Sequence, residues 1–277
     1  MKKTFWAVAA VAAAALWAVP AQAHHGRDFL VVQDYSLPSP LSGNIVTNFS
    51  WEDGGADDEF RLEPGFIVGL APRLALETSV SFQDEGSGWD YASVDPALHI
   101  QLTGPESRCP IKIGLSAGYQ FGNADGEGHD HGHGEEAEHR DEHGEDEHGG
   151  GHAHEAGEAG HEHTGIHRHG EDLFHARLVL ETDITEQLKG VVNLIGIVPD
   201  KGSAAWGYAA GLRYAINHGI GLGAEAIGDF GDGNEHEIIA AAYFTPVHQV
   251  SMKVGAGFGL TEETPDFSLH AGLVFRW

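Results

Sequence analysis

The chain has 277 residues, of which 42 are acidic and 15 basic, giving a formal charge of −27 with histidine neutral. That balance argues against nucleic acid as a partner and favours cations. One cysteine, Cys109, excludes an intramolecular disulfide framework.

Taken in order, the chain opens with Lys2 and Lys3, an apolar run from Phe5 to Val19, and Ala21-Gln22-Ala23. These are the parts of a secretory signal over residues 1–23, leaving 24–277 as the exported chain. The run is too short for a membrane anchor, and no later run is long enough for a membrane helix. His24 and His25 would then lead the exported chain. Beside a free α-amino group they could take Cu²⁺ or Ni²⁺, although the simpler reading is that they are only its first residues. From His24 to Leu41 there is no clear period. Pro38 and Pro40 suggest an extended lead-in, and Phe29 to Val32 a short apolar turn or strand.

Alternating segments of about ten residues follow, the length a tilted membrane strand needs. They run Gly43 to Trp51, Glu59 to Gly69, Arg73 to Gln83, Trp89 to Leu102, Ile111 to Phe121 and Asp172 to Thr182. The second set is Leu188 to Val198, Ala205 to Ile216, Gly219 to Phe230, Glu235 to Phe244, Gln249 to Leu260 and Phe267 to Trp277. Connections alternate between short ones, such as Leu70-Ala71-Pro72, and longer acidic or glycine-rich ones. Twelve strands, an even count, put both ends on one side of a membrane. The fold expected is all-β, a single antiparallel transmembrane β-barrel of about 12 strands with a long disordered extracellular loop. A periplasmic β-sandwich is the alternative, since periodicity alone does not separate the two. The near absence of charge on the apolar faces favours the barrel.

Strand alternation puts Arg61, Glu63, Glu77, Asp95, His99, Lys112, His175, Arg177, Glu181, Arg213, Glu225, His270 and Arg276 on the face opposite the apolar one. In a barrel they point inward, where mixed charge either lines an aqueous path or pairs up and closes the interior. The closed or gated interior is the favoured reading. His99, His175 and His270 could relay a metal, but such histidines are more often part of hydrogen-bonded structure.

Between the fifth and sixth segments, residues 122–170 hold twelve of the chain's 20 histidines among Gly, Glu and Asp. They are His129, His131, His133, His139, His143, His148, His152, His154, His161, His163, His167 and His169. Almost no large apolar residue accompanies them, so the segment cannot build a core. Imidazoles one residue apart can share a metal, and neutral imidazole suits Zn, Cu, Ni and Co. Asp130, Glu135, Glu155 and Glu162 can add oxygen ligands. The expectation is a multi-site ligand for divalent transition metal ions, zinc or nickel foremost, with no required cofactor. The bland alternative is a solvated acidic loop.

The last strand alternates up to its final aromatic residue, Trp277, and resembles the terminal strand of Gram-negative outer-membrane barrels. Glu63-Pro64-Gly65-Phe66 and Gly69 to Glu77 look like the strand–turn–strand unit of the small barrels named after the meta-pathway of phenol degradation. That resemblance implies outer-membrane transport. The long His/acid insert is not part of that group's pattern, so a substrate does not carry over with it. The partners expected are outer-membrane lipid and divalent metal ions, with oligomeric state left open. No enzyme constellation appears. Gly-x-Ser-x-Gly, His-Glu-x-x-His and a phosphate-binding Gly loop are missing, and nothing activates Ser268 beside His270. The functional expectation is a barrel that binds divalent metal on its outer loop and assists its passage or retention. The alternatives are a channel for small apolar or aromatic solutes and a structural barrel without transport.

Overall fold

The computed structural model describes residues 28–53, 58–84, 86, 88–104, 107, 109–123, 172–231 and 235–277. Among these, twelve antiparallel strands close into one barrel in which each strand pairs with its sequence neighbours and β1 pairs with β12. The strands are β1 (Gly43–Glu52), β2 (Glu59–Ala71), β3 (Leu74–Asp84), β4 (Asp90–Gln101), β5 (Ile111–Gly122) and β6 (Leu173–Asp183). They continue with β7 (Leu188–Pro199), β8 (Ala205–Ala215), β9 (Ile220–Asp229), β10 (His236–Val247), β11 (Val250–Gly259) and β12 (Phe267–Arg276). All twelve segments expected from alternation are present. Closure leaves no sheet edge, which is the condition for a sheet to cross lipid.

The chain meets itself at one end of the barrel. Gly43 N donates to Trp277 O at 3.3 Å and Trp277 N to Gly43 O at 3.0 Å. We call this the terminal end; the opposite end, where residues 123–172 join β5 to β6, is the loop end. At the loop end Gly122 N donates to Asp172 Oδ1 at 2.8 Å, so the two stems of that connection are tied together. The expected signal segment 1–23, His24 and His25, and all twelve histidines of the central segment lie outside the described residues.

Alternation sorts the faces. Leu115, Leu194, Leu212, Leu222, Phe258 and Leu273 are 39 to 51% exposed on the outside. On the inside Ala75, Asn193, Ile239 and Val274 are fully buried. An apolar belt this continuous is costly in water and suits the acyl region of a bilayer.

Boundaries differ from the sequence reading where backbone chemistry intervenes. Arg73 has φ 69° and forms the turn, so β3 begins one residue later, at Leu74. Pro64 and Pro96 sit inside β2 and β4. The β2–β3 ladder has a gap between Leu62↔Phe82 and Gly65↔Ser79, and the β4–β5 ladder between Val94↔Phe121 and Ala97↔Gly118, both in unbroken register. A proline has no N–H to give to a ladder, which explains both gaps.

Candidate functional site: the lumen and the segment that fills it

Residues 28–35 form bends and no strand. They are not the extended lead-in that the two prolines suggested, and Phe29 to Val32 is a run of bends rather than a strand. They enter the barrel from the terminal end and occupy its interior. Phe29 and Val32 are each 1% exposed. They pack in a cluster with Val179, Val191, Ile195, Ala209 and Ile227 from β6 to β9. Gly211 of β8 provides the seat, since a Cβ there would lie 2.8 Å from the Phe29 ring. Each such apolar side chain contributes roughly 1.5–3 kcal/mol on burial.

The polar contacts are more specific. Glu225 of β9, 1% exposed, accepts from three consecutive main-chain amides: Leu30 N at 2.7 Å, Val31 N at 2.9 Å and Val32 N at 3.0 Å. Tyr243 Oη donates to the same carboxylate at 2.7 Å. Asn193 of β7 mimics a strand neighbour, accepting from Gln33 N and donating to Gln33 O, both at 2.8 Å. Glu181 accepts from Tyr35 N at 3.1 Å. Lys189 donates to Asp28 at 2.9 Å, with Arg213 3.3 Å from the same oxygen. Lys253 Nζ donates to Phe29 O, and Tyr35 Oη to Thr103 O. A segment without regular structure can stay buried only if its amides and carbonyls find partners, and lumen side chains supply them.

Above the segment, toward the loop end, lies a cavity of about 220 Å³ with Leu30, Val31 and Gln33 as its floor. Three imidazoles reach it, each beside a carboxylate. His99 Nε2 is 2.8 Å from Glu77, His175 Nε2 2.8 Å from Asp95, and His270 Nε2 3.2 Å from Glu237. Gln33 Nε2 meets His99 Nδ1 at 2.6 Å, which links this wall to the segment. Arg61 and Arg177 also line the cavity.

Among the thirteen lumen residues named from alternation, these histidines pair with carboxylates. Lys112 reaches Glu181 at 3.0 Å and Asp183 at 2.8 Å, and Arg276 donates to Ser251 at 2.7 Å. Sequence reasoning missed the inserted segment. Its signal was the unalternated run Phe29-Leu30-Val31-Val32 between polar residues, together with Asn193 and Lys253 on lumen faces. Among the described residues no group of three or more His, Cys, Asp or Glu side chains is placed to hold a metal. Each of the three lumen histidines faces its own carboxylate.

The fold is a single small barrel like that of outer-membrane porins and channels, and in this chain residues 28–35 occupy its lumen. No family model and no curated protein matches the sequence. Among solved structures, the COG4313 outer membrane channel from Pseudomonas putida F1 superposes with a TM-score of 0.55 at 13% identity, over 90% of this chain and 98% of that one. The KdgM porin in complex with disordered oligogalacturonate gives 0.54 at 8% identity, over 84% and 99%. A second structure of the KdgM porin gives 0.53 at 9% identity over the same shares.

Proposed function

We propose that this chain is a gated outer-membrane channel for small solutes, with residues 28–35 as the gate. The observation that carries this reading is the mode of occupation. The segment is held by side-chain contacts to main-chain groups and shares no strand pairing, so it can leave without breaking the barrel. Its departure would expose two unlike walls. One, from β6 to β9, is apolar where Phe29 and Val32 now pack. The other carries Glu77, Asp95, Arg177 and the imidazoles. A solute with an apolar or aromatic body and a polar group fits such a lumen better than a purely apolar one. The porin and channel folds named above agree with transport as the role. The oligogalacturonate of the KdgM complex does not carry over, because a likeness at 8% identity is one of fold.

The test is single-channel recording in planar bilayers with the full chain and with a chain lacking residues 28–35. Closed or small, flickering currents from the first and stable larger ones from the second are expected. Silence from both would refute a channel and leave a structural barrel.

A second reading rests on the sequence of the central segment. With twelve histidines and many carboxylates, it would capture divalent transition metal at the loop end and retain it there or hand it to the lumen. Imidazole must be unprotonated to ligate, so capture weakens as pH falls through about 6.5. Calorimetry on the segment as a peptide should show Zn²⁺ or Ni²⁺ binding at pH 7.5 and little at pH 5. Equal binding at both would refute it.

A further inference from the structure

Asp229, the last residue of β9, is 3% exposed, and neither carboxylate oxygen has a hydrogen-bond partner among the described residues. It shares the inward face with Ile227 and Glu225, two and four residues earlier on the strand. Its cross-strand partner on β8 is Gly207, which offers no side chain. A buried carboxylate left without partners is costly, and proteins keep such a group where a ligand completes it.

The neighbouring strands continue its charge. Glu237 of β10 pairs with Ile227, which places it one diagonal step from Asp229, about 7–8 Å away. From there Glu237 accepts from Ser268 of β12 and lies beside His270. It reaches them across β11 because Gly257 has no side chain: a Cβ there would strike Glu237 Oε1 and Ser268 Oγ. Glu52 of β1 and Glu59 of β2 are direct cross-strand partners. Glu52 lies within the fields of Glu59, Glu237, Arg61 and His270. Asp229, Glu237, Glu52 and Glu59 thus form an arc on the inner wall at the loop end, with Arg61 as its one guanidinium. Even with His270 charged, the arc stays negative. A negative strip on a low-dielectric wall concentrates cations.

We infer that this arc receives the cationic head of the transported solute, an ammonium or amidinium group, with Asp229 as its counter-charge. The inference rests on the channel reading and names the polar half of its solute. A metal ion is the poorer occupant, since among the described residues the arc offers no set of three ligands. An organic cation needs only one or two carboxylates and an apolar wall for its body; Ile227, two residues earlier on β9, and Ile195, level with Asp229 two strands away across Gly207, provide that wall.

The test is calorimetric titration of the full chain in detergent, with detergent alone as blank, using phenethylammonium and phenylacetate as matched cation and anion. Phenethylammonium should bind at least about tenfold more tightly than phenylacetate, and Asp229→Asn should remove most of that difference. Glu237→Gln serves as a second variant if Asp229→Asn loses the heat-resistant gel mobility of a folded barrel. Equal affinity for the two probes, or a cation affinity unmoved by a folded variant, would overturn the inference. The bilayer recordings decide the channel separately. Cation binding to a chain that passes no current in either form would sink the channel and leave the cation site standing.

Discussion

Glu225→Ala is expected to unseat residues 28–35 and open the lumen. The substitution strips the acceptor from the amides of Leu30, Val31 and Val32 and from Tyr243 Oη. A buried N–H left without a partner costs about 1–3 kcal/mol, so three of them exceed any one side-chain contact in the segment. Discounting for water that would enter, a loss of about 3 kcal/mol shifts the seated-to-released ratio more than a hundredfold. Glu225→Gln should fall between the two, because its NH₂ faces donors while its oxygen still accepts. Two measurements check the result. Bilayer currents should rise to those of the segment-deleted chain. Val32→Cys, placed in a Cys109→Ser background, should react quickly with a membrane-impermeant thiol reagent in Glu225→Ala and slowly otherwise. Cys109 is replaced because it is exposed. A Glu225→Ala barrel that folds, stays closed and protects Cys at position 32 would show that the segment is structural filling.

Acidification should hold the segment in place. The Asp34 carboxyl is pushed up to about 6 from its ordinary 3.8, by burial first and by Asp28 next, with Glu181 adding and Lys189 opposing. A released segment in water regains the ordinary value. The seated form therefore binds the proton more tightly. Its stabilisation is complete below about pH 4 and is lost as pH rises through about 6. A shift of this size corresponds to about 3 kcal/mol between the two limits. Between pH 6 and 4 the released fraction should fall about thirtyfold in all, roughly five- to sixfold per unit, seen as shrinking open probability in wild-type recordings. Asp34→Asn should lie near the low-pH level throughout and lose the slope. The difference between wild type and Asp34→Asn isolates the carboxyl. Currents that grow on acidification, or a slope that survives in Asp34→Asn, would overturn the assignment to this carboxyl.

The strands were legible because a membrane barrel writes its faces in period two. Leu74, Leu76 and Val80 against Ala75, Glu77 and Ser81 state which side meets lipid, whatever their partners. Strand ends were less legible, because Arg73 turns only through a left-handed backbone angle that arginine does not advertise. The carboxylates and imidazoles of the lumen were named correctly as inward, yet their pairings were not. His99 with Glu77 and His175 with Asp95 join β4 to β3 and β6 to β4, and the second pair skips a strand. Gly118 on the intervening β5 makes that possible, since a Cβ there would strike His175 Nε2.

By itself the sequence determined the twelve strands, their sidedness and their even parity, because these depend on local alternation and chain length between turns. It also concentrated the histidines in one connection, residues 122–170, whose stems the fold ties together at the loop end. Only the tertiary structure decided what fills the barrel. Phe29 to Gln33 carries no period, and its partners Asn193, Glu225 and Lys253 lie more than 150 residues away in the chain. Closure of β1 on β12 brings those side chains around a common axis. There a short apolar run with unspent amides finds both an apolar wall and a carboxylate.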